Sequence, residues 1–245
     1  MNLRSGGSLA TSARLMARCI QHNPDIVVFS EFRNNACGAR IRTMLEDSGY
    51  RHHAGSSPQY RGNAVLLAAR ERFTPLVNPF GLADDEYPNA VVEARFDRLR
   101  VYGVYLPGQD RKRPHLRCLI AAAQRWNERD ERALAVGDFN SGRNATDIEL
   151  NVGRSRLADE FSTADLYAEL EEHWTEAWLH LHPEALEFSW YPFRKEAPEK
   201  RRNGWRIDKA FVSNALLPGL QNAQYDHGFR LEGLTDHSGL IVDVV

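Results

Sequence analysis

Short apolar runs rich in β-branched residues recur along the chain and alternate with longer stretches of helical character. Runs of this length, bounded by polar and turn-forming residues, are typical of buried strands. Residues 8–23 have a helical pattern that ends before Pro24, and residues 115–130 carry apolar side chains along one helical stripe. A third helical stretch lies between Ala158 and His182. The predicted strands are DIVVF, NAVLLAA, NAVVEARF, LRVYGVYL, RALAVGDF, RIDKAFVS and GLIVDVV.

This alternation predicts a single α/β domain over residues 1–245. The length suits one large domain, and no repeat, low-complexity tract or linker interrupts it. The stretch YPNAVVEARFDRLRVYGVYLP contains two strand patterns separated by a short turn, which predicts an antiparallel pair. Mixed or antiparallel sheets covered by helices are therefore favoured over a purely parallel sheet.

Composition argues against several classes of protein. Hydrophobic residues make up 42 % of the chain, which is typical of a globular protein. No apolar run is long enough to span a bilayer, and the start MNLRSGGSLA lacks the apolar core of a signal peptide. We therefore expect a cytoplasmic protein. The cysteines Cys19, Cys37 and Cys118 are odd in number and widely spaced, which favours neither a disulfide framework nor a zinc site.

The distribution of charge is more informative than its total. The net charge of −2 is not that of a basic nucleic-acid-binding protein. Basic residues nevertheless concentrate in residues 194–209, which include Arg206, and in a smaller cluster within residues 111–117. Such segments are usually solvated loops, and the alternative is a surface for an anionic ligand. On that alternative, Arg206 is a candidate substrate-binding residue.

Polar side chains stand where predicted strands end. In LAVGDFNSG, Asp138 and Asn140 continue the face that the preceding apolar residues give to the core. Taken alone, this segment is explained equally well by a turn. The same feature recurs elsewhere, and residues at strand ends of layered α/β folds converge on one rim. The other polar residues that end, begin or lie within predicted strands are Glu31, Tyr105, Asp208, Asp236 and His237.

Together these residue types suit the hydrolysis of a phosphodiester. Glu31, with Asp236 as a second candidate, offers the carboxylate oxygens that Mg²⁺ prefers. Asp138 could act as the base, while Asn140, Tyr105 and His237 could donate hydrogen bonds to phosphate oxygens. A carboxylate paired with His237 would favour the imidazolium, and Asp208 is the candidate partner.

The ordered motifs NLRSGG, VVFSEF, VYLPG, GDFNSG, NGWRID and LTDHSGLIV resemble those of the exonuclease/endonuclease/phosphatase superfamily. The resemblance covers essentially the whole chain. Within that group, FSWY and GWRID are most similar to exonuclease III and the abasic-site endonucleases. The resemblance implies a four-layer α/β sandwich, in which two packed mixed β-sheets are flanked by helices, and dependence on Mg²⁺ or Mn²⁺.

By motif, the resemblance also implies roles for individual residues. Those matched to the metal site are Asn2, Glu31 and Asp236. Those matched to the chemistry are Asp138, which would activate water, Asn140, which would orient it, the phosphate-contacting Tyr105, and His237 with its partner Asp208. Trp205 and Trp190 correspond to positions near the pocket that receives an extrahelical sugar in the DNA-repair members.

The chain departs from the family pattern in two places. The family's first strand runs for several residues before the Asn of NLR, whereas this chain begins at Met1, so we expect that strand to be truncated or replaced and the sheet to be weakened. Whether a metal site that includes Asn2 is complete depends on how that strand is replaced. Gly108 stands where the DNA-repair members carry an amide side chain that touches the substrate, which disfavours an abasic-site activity.

Three functions are consistent with the sequence. The first is a Mg²⁺-dependent phosphodiesterase, expected to be a monomer, that acts on DNA through basic and aromatic side chains. The second keeps the hydrolase but replaces DNA with a nucleotide, a phospholipid head group or another small phosphoester. The third is a non-catalytic binding protein, which the presence of all the candidate site residues disfavours.

Overall fold

The computed structural model describes residues 1–149, 160–192 and 203–245. Its helices are α1 (Ser12–Gln21), α2 (Ala36–Asp47), α3 (Arg113–Glu128), α4 (Ala164–His173), α5 (Ala177–Leu181) and α6 (Gly228–Leu231). Its strands are β1 (Ile26–Phe32), β2 (His52–Gly55), β3 (Ala64–Ala69), β4 (Thr74–Val77), β5 (Val91–Arg95), β6 (Arg100–Tyr105), β7 (Ala133–Asp138), β8 (Thr175–Glu176), β9 (Asp208–Val212), β10 (Leu220–Asp226) and β11 (Gly239–Val244).

The largest sheet has six strands in the order β4-β5-β6-β7-β9-β8. β6 and β7 are parallel because α3 carries the chain back between them, and the other neighbours are antiparallel. The sheet is therefore mixed. The antiparallel β5–β6 pair predicted from the sequence is confirmed.

Two smaller antiparallel sheets accompany the large one, with the orders β1-β3-β2 and β10-β11. An apolar cluster between the smaller sheets and the large one includes Val28, Val65 and Val101. Gly103 of β6 lies in this contact, because a Cβ atom there would come within 2.9 Å of Val65 Cγ1. The absence of a side chain thus allows β6 to approach the strands that face it.

The helices cover the outer faces of the sheets. Leu119 of α3 and Leu170 of α4 are buried in one cluster with Phe211 of the large sheet. Leu15 of α1 and Leu45 of α2 are buried in a second cluster with Phe29 of β1. Each helix thus buries one apolar stripe against a sheet, as the sequence pattern of α1 and α3 predicted.

The predicted α/β class is confirmed. Every predicted apolar run overlaps a strand, although β1 extends beyond its run to Phe32. The first two predicted helices correspond to α1 and α3, and α3 begins two residues before the predicted start. The third stretch contains α4 and α5 separated by the short strand β8, while its first two residues lie outside the described residues. Among the described residues, hydrogen bonding defines three sheets, of which only the largest is mixed, where we predicted two mixed sheets. The facing edges of β1 and β11 are not joined to each other.

Two predictions from the sequence concern membrane spans and the state of the cysteines. Among the described residues, no helix has the length and apolar character needed to cross a membrane. Cys19, Cys37 and Cys118 are free thiols, the first two of them buried. The single domain over residues 1–245 and the monomeric state stay predictions.

Candidate active site

The centre of the large sheet places three candidate residues in one row. Tyr105 at the end of β6 is opposite Asp138 at the end of β7, and Asp138 is opposite Asp208 at the start of β9. Gly137 makes this alignment possible: its φ is +145°, and a Cβ atom would lie 2.0 Å from the Val104 carbonyl oxygen. A side chain at position 137 would force β6 and β7 apart.

Asp138 is the most connected carboxylate of this row and is 1 % exposed. Its Oδ1 accepts a hydrogen bond from the Asn140 backbone N–H at 2.9 Å. Its Oδ2 accepts from Asn2 Nδ2 at 2.8 Å and from Asn140 Nδ2 at 3.3 Å. Asn140 has a positive φ of 47° and also donates to the Leu106 carbonyl oxygen at 2.8 Å. Asn2 and Asn140 therefore fix the carboxylate from two sides.

His237 and Asp208 form a buried pair with 2.8 Å between His237 Nδ1 and Asp208 Oδ2. Burial opposes a charged imidazole, but the charge of Asp208 and its hydrogen bond, helped by Asp138 and Asp236, raise the pKa of His237 to about 9. His237 lowers the pKa of Asp208 despite the burial of that carboxylate. The pair is therefore an imidazolium–carboxylate at neutral pH.

Asp138 has the opposite electrostatic environment. Burial is the largest influence, and together with the negative charges of Asp208 and Glu31 it raises the pKa of Asp138 to about 7. The positive charge of His237 and the Asn140 backbone N–H limit this rise. A carboxylate with a pKa near 7 can take up a proton at neutral pH, as a general base must.

Glu31 reaches the site through an irregularity in β1. The pairing register of β1 with β3 shifts between Phe29 and Phe32, and Glu31 has a positive φ of 54°. Glu31 Oε1 then accepts from Asn2 Nδ2 at 3.2 Å, and its other carboxylate oxygen accepts from the Ser5 backbone N–H. The bulge turns Glu31 towards the amide that also holds Asp138.

The Tyr105 hydroxyl lies within the hydrogen-bond network of a second asparagine. Asn63 Nδ2 donates to it at 3.1 Å, and Asn63 Oδ1 accepts from Arg33 Nε at 2.6 Å. Burial, followed by the charge of Glu31, raises the pKa of Tyr105 to about 12, so the hydroxyl keeps its proton. Sequence analysis missed Asn63, whose only signal was its position directly before a strand.

Sequence analysis missed two further neighbours of Asp138 and Asn140. Ser30 Oγ accepts from the Asp138 backbone N–H at 3.2 Å and donates to the Val104 carbonyl oxygen at 2.8 Å. Lys112 is buried, and its Nζ donates to the Asn140 carbonyl oxygen. Burial lowers the pKa of Lys112 to about 8, although the charge of Asp138 opposes that change. Ser30 lies within the motif VVFSEF and Lys112 within the basic cluster of residues 111–117, but neither pattern indicates these hydrogen bonds.

Two tryptophans form an aromatic wall beside His237. The rings of Trp190 and Trp205 are 5.4 Å apart, and Trp190 is 6.4 Å from the His237 ring. Trp190 Nε1 donates to Asp236 Oδ2 at 3.2 Å. Both indoles are only partly buried. The wall therefore presents aromatic surface beside the charged pair, and Asp236 is tied to it.

Arg206 is not at this rim. It is 2 % exposed, its Nη1 donates to Glu176 Oε2 at 2.6 Å, and its Nη2 donates to Asp147. Lys209, also fully buried, donates to the other oxygen of Asp147 at 2.9 Å. The guanidinium of Arg206 is thus held by protein carboxylates. This position does not support its predicted role as a substrate-binding residue.

The remaining basic residues give little information about a ligand. The predicted basic residues between 194 and 202 lie outside the described residues. In the smaller cluster, Arg111 stacks over the ring of Tyr87 and Arg113 is paired with Asp110 and Asp165. Arg111 and Arg117 are exposed. Fewer positively charged side chains are therefore available to bind an anion at this surface than the number of basic residues in the sequence indicated.

The oxygen donors around Asn2 fit a hard divalent cation. Within residues 1–149, 160–192 and 203–245, no three His, Cys, Asp or Glu side chains cluster as a metal site. Asn2 Nδ2, however, lies within hydrogen-bond distance of both Glu31 and Asp138. An amide can present its oxygen instead of its nitrogen, so Asn2 and Glu31 offer one amide oxygen and one carboxylate, which are donors that Mg²⁺ takes while keeping waters.

Comparison with known protein families shows to which family this chain belongs. The model of the Endonuclease/Exonuclease/phosphatase family matches residues 1–237. The chain belongs to this family. Its members are phosphoesterase hydrolases, typically dependent on a metal. No curated protein matches the sequence.

The chain is also similar in fold to three solved structures. An AP endonuclease from Archaeoglobus fulgidus shares 19 % identity and a TM-score of 0.78, covering 99 % of this chain and 97 % of the other. A 3'-5' exonuclease, NExo, from Neisseria meningitidis shares 20 % identity with a TM-score of 0.79, covering 99 % and 98 %. The 3' phosphatase NExo from Neisseria bound to product DNA hairpin shares 19 % identity with a TM-score of 0.79, covering 100 % and 98 %. At these identities the likeness establishes the fold.

The buried ion pairs of Arg206 lead to a prediction about stability. Arg206→Ala should lower the free energy of unfolding by about 3–5 kcal/mol, because it leaves Glu176 and part of Asp147 as buried, unpaired charges. Urea denaturation followed by fluorescence would measure this. Arg111→Ala, at an exposed position, is the matched control and should cost less than about 1 kcal/mol. Equal losses in the two variants would contradict a buried structural role for Arg206.

The Asp208–His237 pair leads to a prediction about pH. In metal-free protein, the imidazole of His237 should titrate near pH 9, and in Asp208→Asn it should titrate at a clearly lower pH. Histidine side-chain NMR would follow both. Because the pKa in the folded protein exceeds the ordinary value of 6.5, the pair contributes stability that is complete below about pH 6.5 and is lost as the pH rises through about 9. An unchanged titration in Asp208→Asn would contradict the pairing.

Proposed function

We propose that the chain is a divalent-metal-dependent phosphodiester hydrolase that acts on DNA. The observation that carries the proposal is the juxtaposition of two electrostatically distinct groups. Asp138, with a pKa of about 7, shares one strand row with Asp208, which holds His237 as an imidazolium. A base and a cationic donor on the same rim suit attack by water on a phosphodiester.

The residues of the chain divide the chemical work between them. Asp138, fixed by Asn140, takes the proton from a water whose oxygen bonds to phosphorus, and the ester P–O bond to the leaving group breaks. The leaving oxygen is protonated from solvent. His237 uses Nδ1 for Asp208, so its Nε2–H is free to donate to a phosphate oxygen and stabilise the developing charge. The Tyr105 hydroxyl, which keeps its proton, is a second donor.

Asn2 and Glu31 are the proposed ligands of Mg²⁺ or Mn²⁺, with Asp236 as a further candidate. The metal would neutralise the negative charge that grows on the phosphate. Asp236 accepts from Trp190 Nε1 at 3.2 Å and lies 3.8 Å from Arg4 Nε, so it also couples the metal region to the aromatic wall.

DNA is the proposed substrate because of the aromatic wall. Trp190 and Trp205 are partly exposed, Trp190 lies beside His237, and aromatic side chains bind bases and sugars with little sequence preference. A structural neighbour with the same fold is bound to a product DNA hairpin, which supports the assignment. Activity at an abasic site or at a 3' end, by a cytoplasmic monomer, is part of this proposal.

A small phosphoester is the second candidate substrate, and the position of Arg206 favours it. With Arg206 buried and Arg113 paired, fewer cations are available for the DNA backbone than the sequence suggested. Gly108, in the loop after β6, carries no side chain that could contact a substrate. The same catalytic row would serve either substrate.

Both substrates predict the same catalytic mutants. Asp138→Asn and His237→Ala should each reduce Mg²⁺-dependent hydrolysis at least ~100-fold, because one removes the base and the other the cationic donor. Turnover would be measured on duplex DNA with one abasic site, on a 3'-recessed duplex and on bis(p-nitrophenyl) phosphate, with Mg²⁺ and with EDTA. Arg111→Ala is the control and should retain activity on the small ester. Full turnover by His237→Ala would contradict the mechanism, and cleavage of none of the substrates by the wild type would favour a binding protein.

Salt dependence separates the two substrates. A DNA enzyme should lose affinity steeply as salt rises, since each phosphate contact to a basic side chain releases counterions with a slope of about −0.9 in log–log form. Binding of a fluorescent duplex, with Asp138→Asn protein to prevent cleavage, would give this slope. A flat salt response together with cleavage of only the small ester would replace DNA by a small phosphoester.

A further inference from the structure

The hydrogen bonds around Tyr105 determine where the proton of its hydroxyl can point. Asn63 Nδ2 donates to the hydroxyl oxygen at 3.1 Å, and this is the hydroxyl's only hydrogen bond within the described residues. A tyrosine hydroxyl accepts through its oxygen and donates its single proton. Because Asn63 uses the oxygen as an acceptor, the proton is not committed to any group in this part of the chain.

Arg33 fixes which end of the Asn63 amide faces Tyr105. Arg33 Nε lies 2.6 Å from the Asn63 amide, and a guanidinium N–H can only donate a hydrogen bond. The atom that faces Arg33 must therefore be the amide oxygen, Oδ1, which leaves the amide nitrogen for Tyr105. The reverse orientation would set one donor against another at Arg33 and lose that bond. The chemistry of Arg33 thus determines the direction of both hydrogen bonds.

Backbone pairing holds these three side chains in place. Tyr105 ends β6, Asn63 directly precedes β3, and Arg33 directly follows β1. β1 and β3 are antiparallel, and the pairing of Phe32 with Ala64 brings the next two residues, Arg33 and Asn63, opposite each other. Residues opposed in this way have neighbouring side chains. The three-stranded sheet therefore presents an Arg33–Asn63 pair to the end of a strand of the six-stranded sheet.

The hydroxyl lies at the rim that carries the candidate catalytic residues. Tyr105 is opposite Asp138 in the pairing of β6 with β7. Burial, the charge of Glu31 and the charge of Asp138 all raise the pKa of Tyr105, so both carboxylates act on its hydroxyl. The O–H bond of a phenol lies close to the ring plane, which leaves it two orientations. The N–H of Asn63 disfavours the orientation towards Asn63, so the proton is directed away from that residue.

We propose that Asn63, held by Arg33, is a positioning residue that turns the O–H of Tyr105 towards a phosphate oxygen of the substrate. The inference rests on the proposed hydrolysis, in which Tyr105 is a donor to the phosphate. A donor that already points at the phosphate needs no reorientation when negative charge develops there. Asn63 itself touches no substrate and acts through the hydroxyl alone.

The role depends on the polarity of the amide and not on its size. In Asn63→Asp, a side chain of nearly the same shape, one carboxylate oxygen would keep the contact with Arg33. The other oxygen can only accept, so it would take the proton of the Tyr105 hydroxyl and turn it inward. Asn63→Ala would remove both contacts and leave the hydroxyl free to rotate.

The test measures kcat on bis(p-nitrophenyl) phosphate with Mg²⁺ for single and double variants. Asn63→Asp and Tyr105→Phe should each lower kcat by about 100-fold, and Asn63→Ala by about 10-fold or less. Urea denaturation should find Asn63→Asp at least as stable as Asn63→Ala, because Arg33 keeps its partner. In the Tyr105→Phe background, which lacks the hydroxyl, Asn63→Asp should change kcat less than about 3-fold. This background also corrects for the added negative charge.

Three results would overturn the inference while leaving the hydrolysis in place. The first is a kcat of Asn63→Asp equal to or above that of Asn63→Ala, which is the order that a packing role gives. The second is an equal effect of Asn63→Asp with and without the Tyr105 hydroxyl. The third is full turnover by Tyr105→Phe, which would remove the hydroxyl from the reaction.

Failure of the proposed function would look different, because the wild type would then cleave none of the substrates. The same four proteins of the cycle would in that case be compared by calorimetric binding of inorganic phosphate. Weaker binding caused by Asn63→Asp only when the Tyr105 hydroxyl is present would support the inference. Equal weakening in both backgrounds, or no binding of phosphate by the wild type, would overturn it.

Discussion

The alignment of β6, β7 and β9 is the constraint on which the rest of the site depends. It places Tyr105, Asp138 and Asp208 at one height on three neighbouring strands. Gly137 permits the close approach that sets this height. Because the three groups are fixed by backbone pairing, their electrostatic coupling is built into the sheet. Asp208 can then hold His237 charged while it raises the pKa of Asp138, and this difference separates the two chemical roles.

β9 places charge on both of its faces, and this explains why the basic residues near it are difficult to interpret from sequence. Asp208 faces the candidate site, while the next residue, Lys209, lies on the opposite face and binds Asp147. Arg206 joins the same buried network. A count of basic residues cannot distinguish cations held inside by carboxylates from cations available to a phosphate. The partners Asp147 and Glu176 are distant in sequence and belong to no motif.

The sequence was informative where local patterns decide the structure. Apolar runs predicted the central strands, and polar residues at their ends predicted Asp138, Asn140 and the Asp208–His237 pair. Other features depend on contacts that no local pattern encodes. Asn63 supports Tyr105 across 42 positions, and Lys112 reaches the Asn140 carbonyl from the short 3-10 helix that precedes α3. The edge strands β2, β4, β8 and β10 were missed for the same reason, since tertiary pairing forms them more than propensity does.

Asn2 links the small sheet that contains β1 to the chemistry of the large sheet. The backbone groups of Met1 and Leu3 bond to Val28 and Ser30 of β1, and the Asn2 side chain between them donates to both Glu31 and Asp138. The position of this amide is therefore set by β1, although the amide orients a carboxylate on β7. A cation held by Asn2 and Glu31, as proposed, would favour the same placement of the chain at Asn2. Cation binding and the ladder between residues 1–3 and β1 should then reinforce each other, because coupling between two sites is reciprocal.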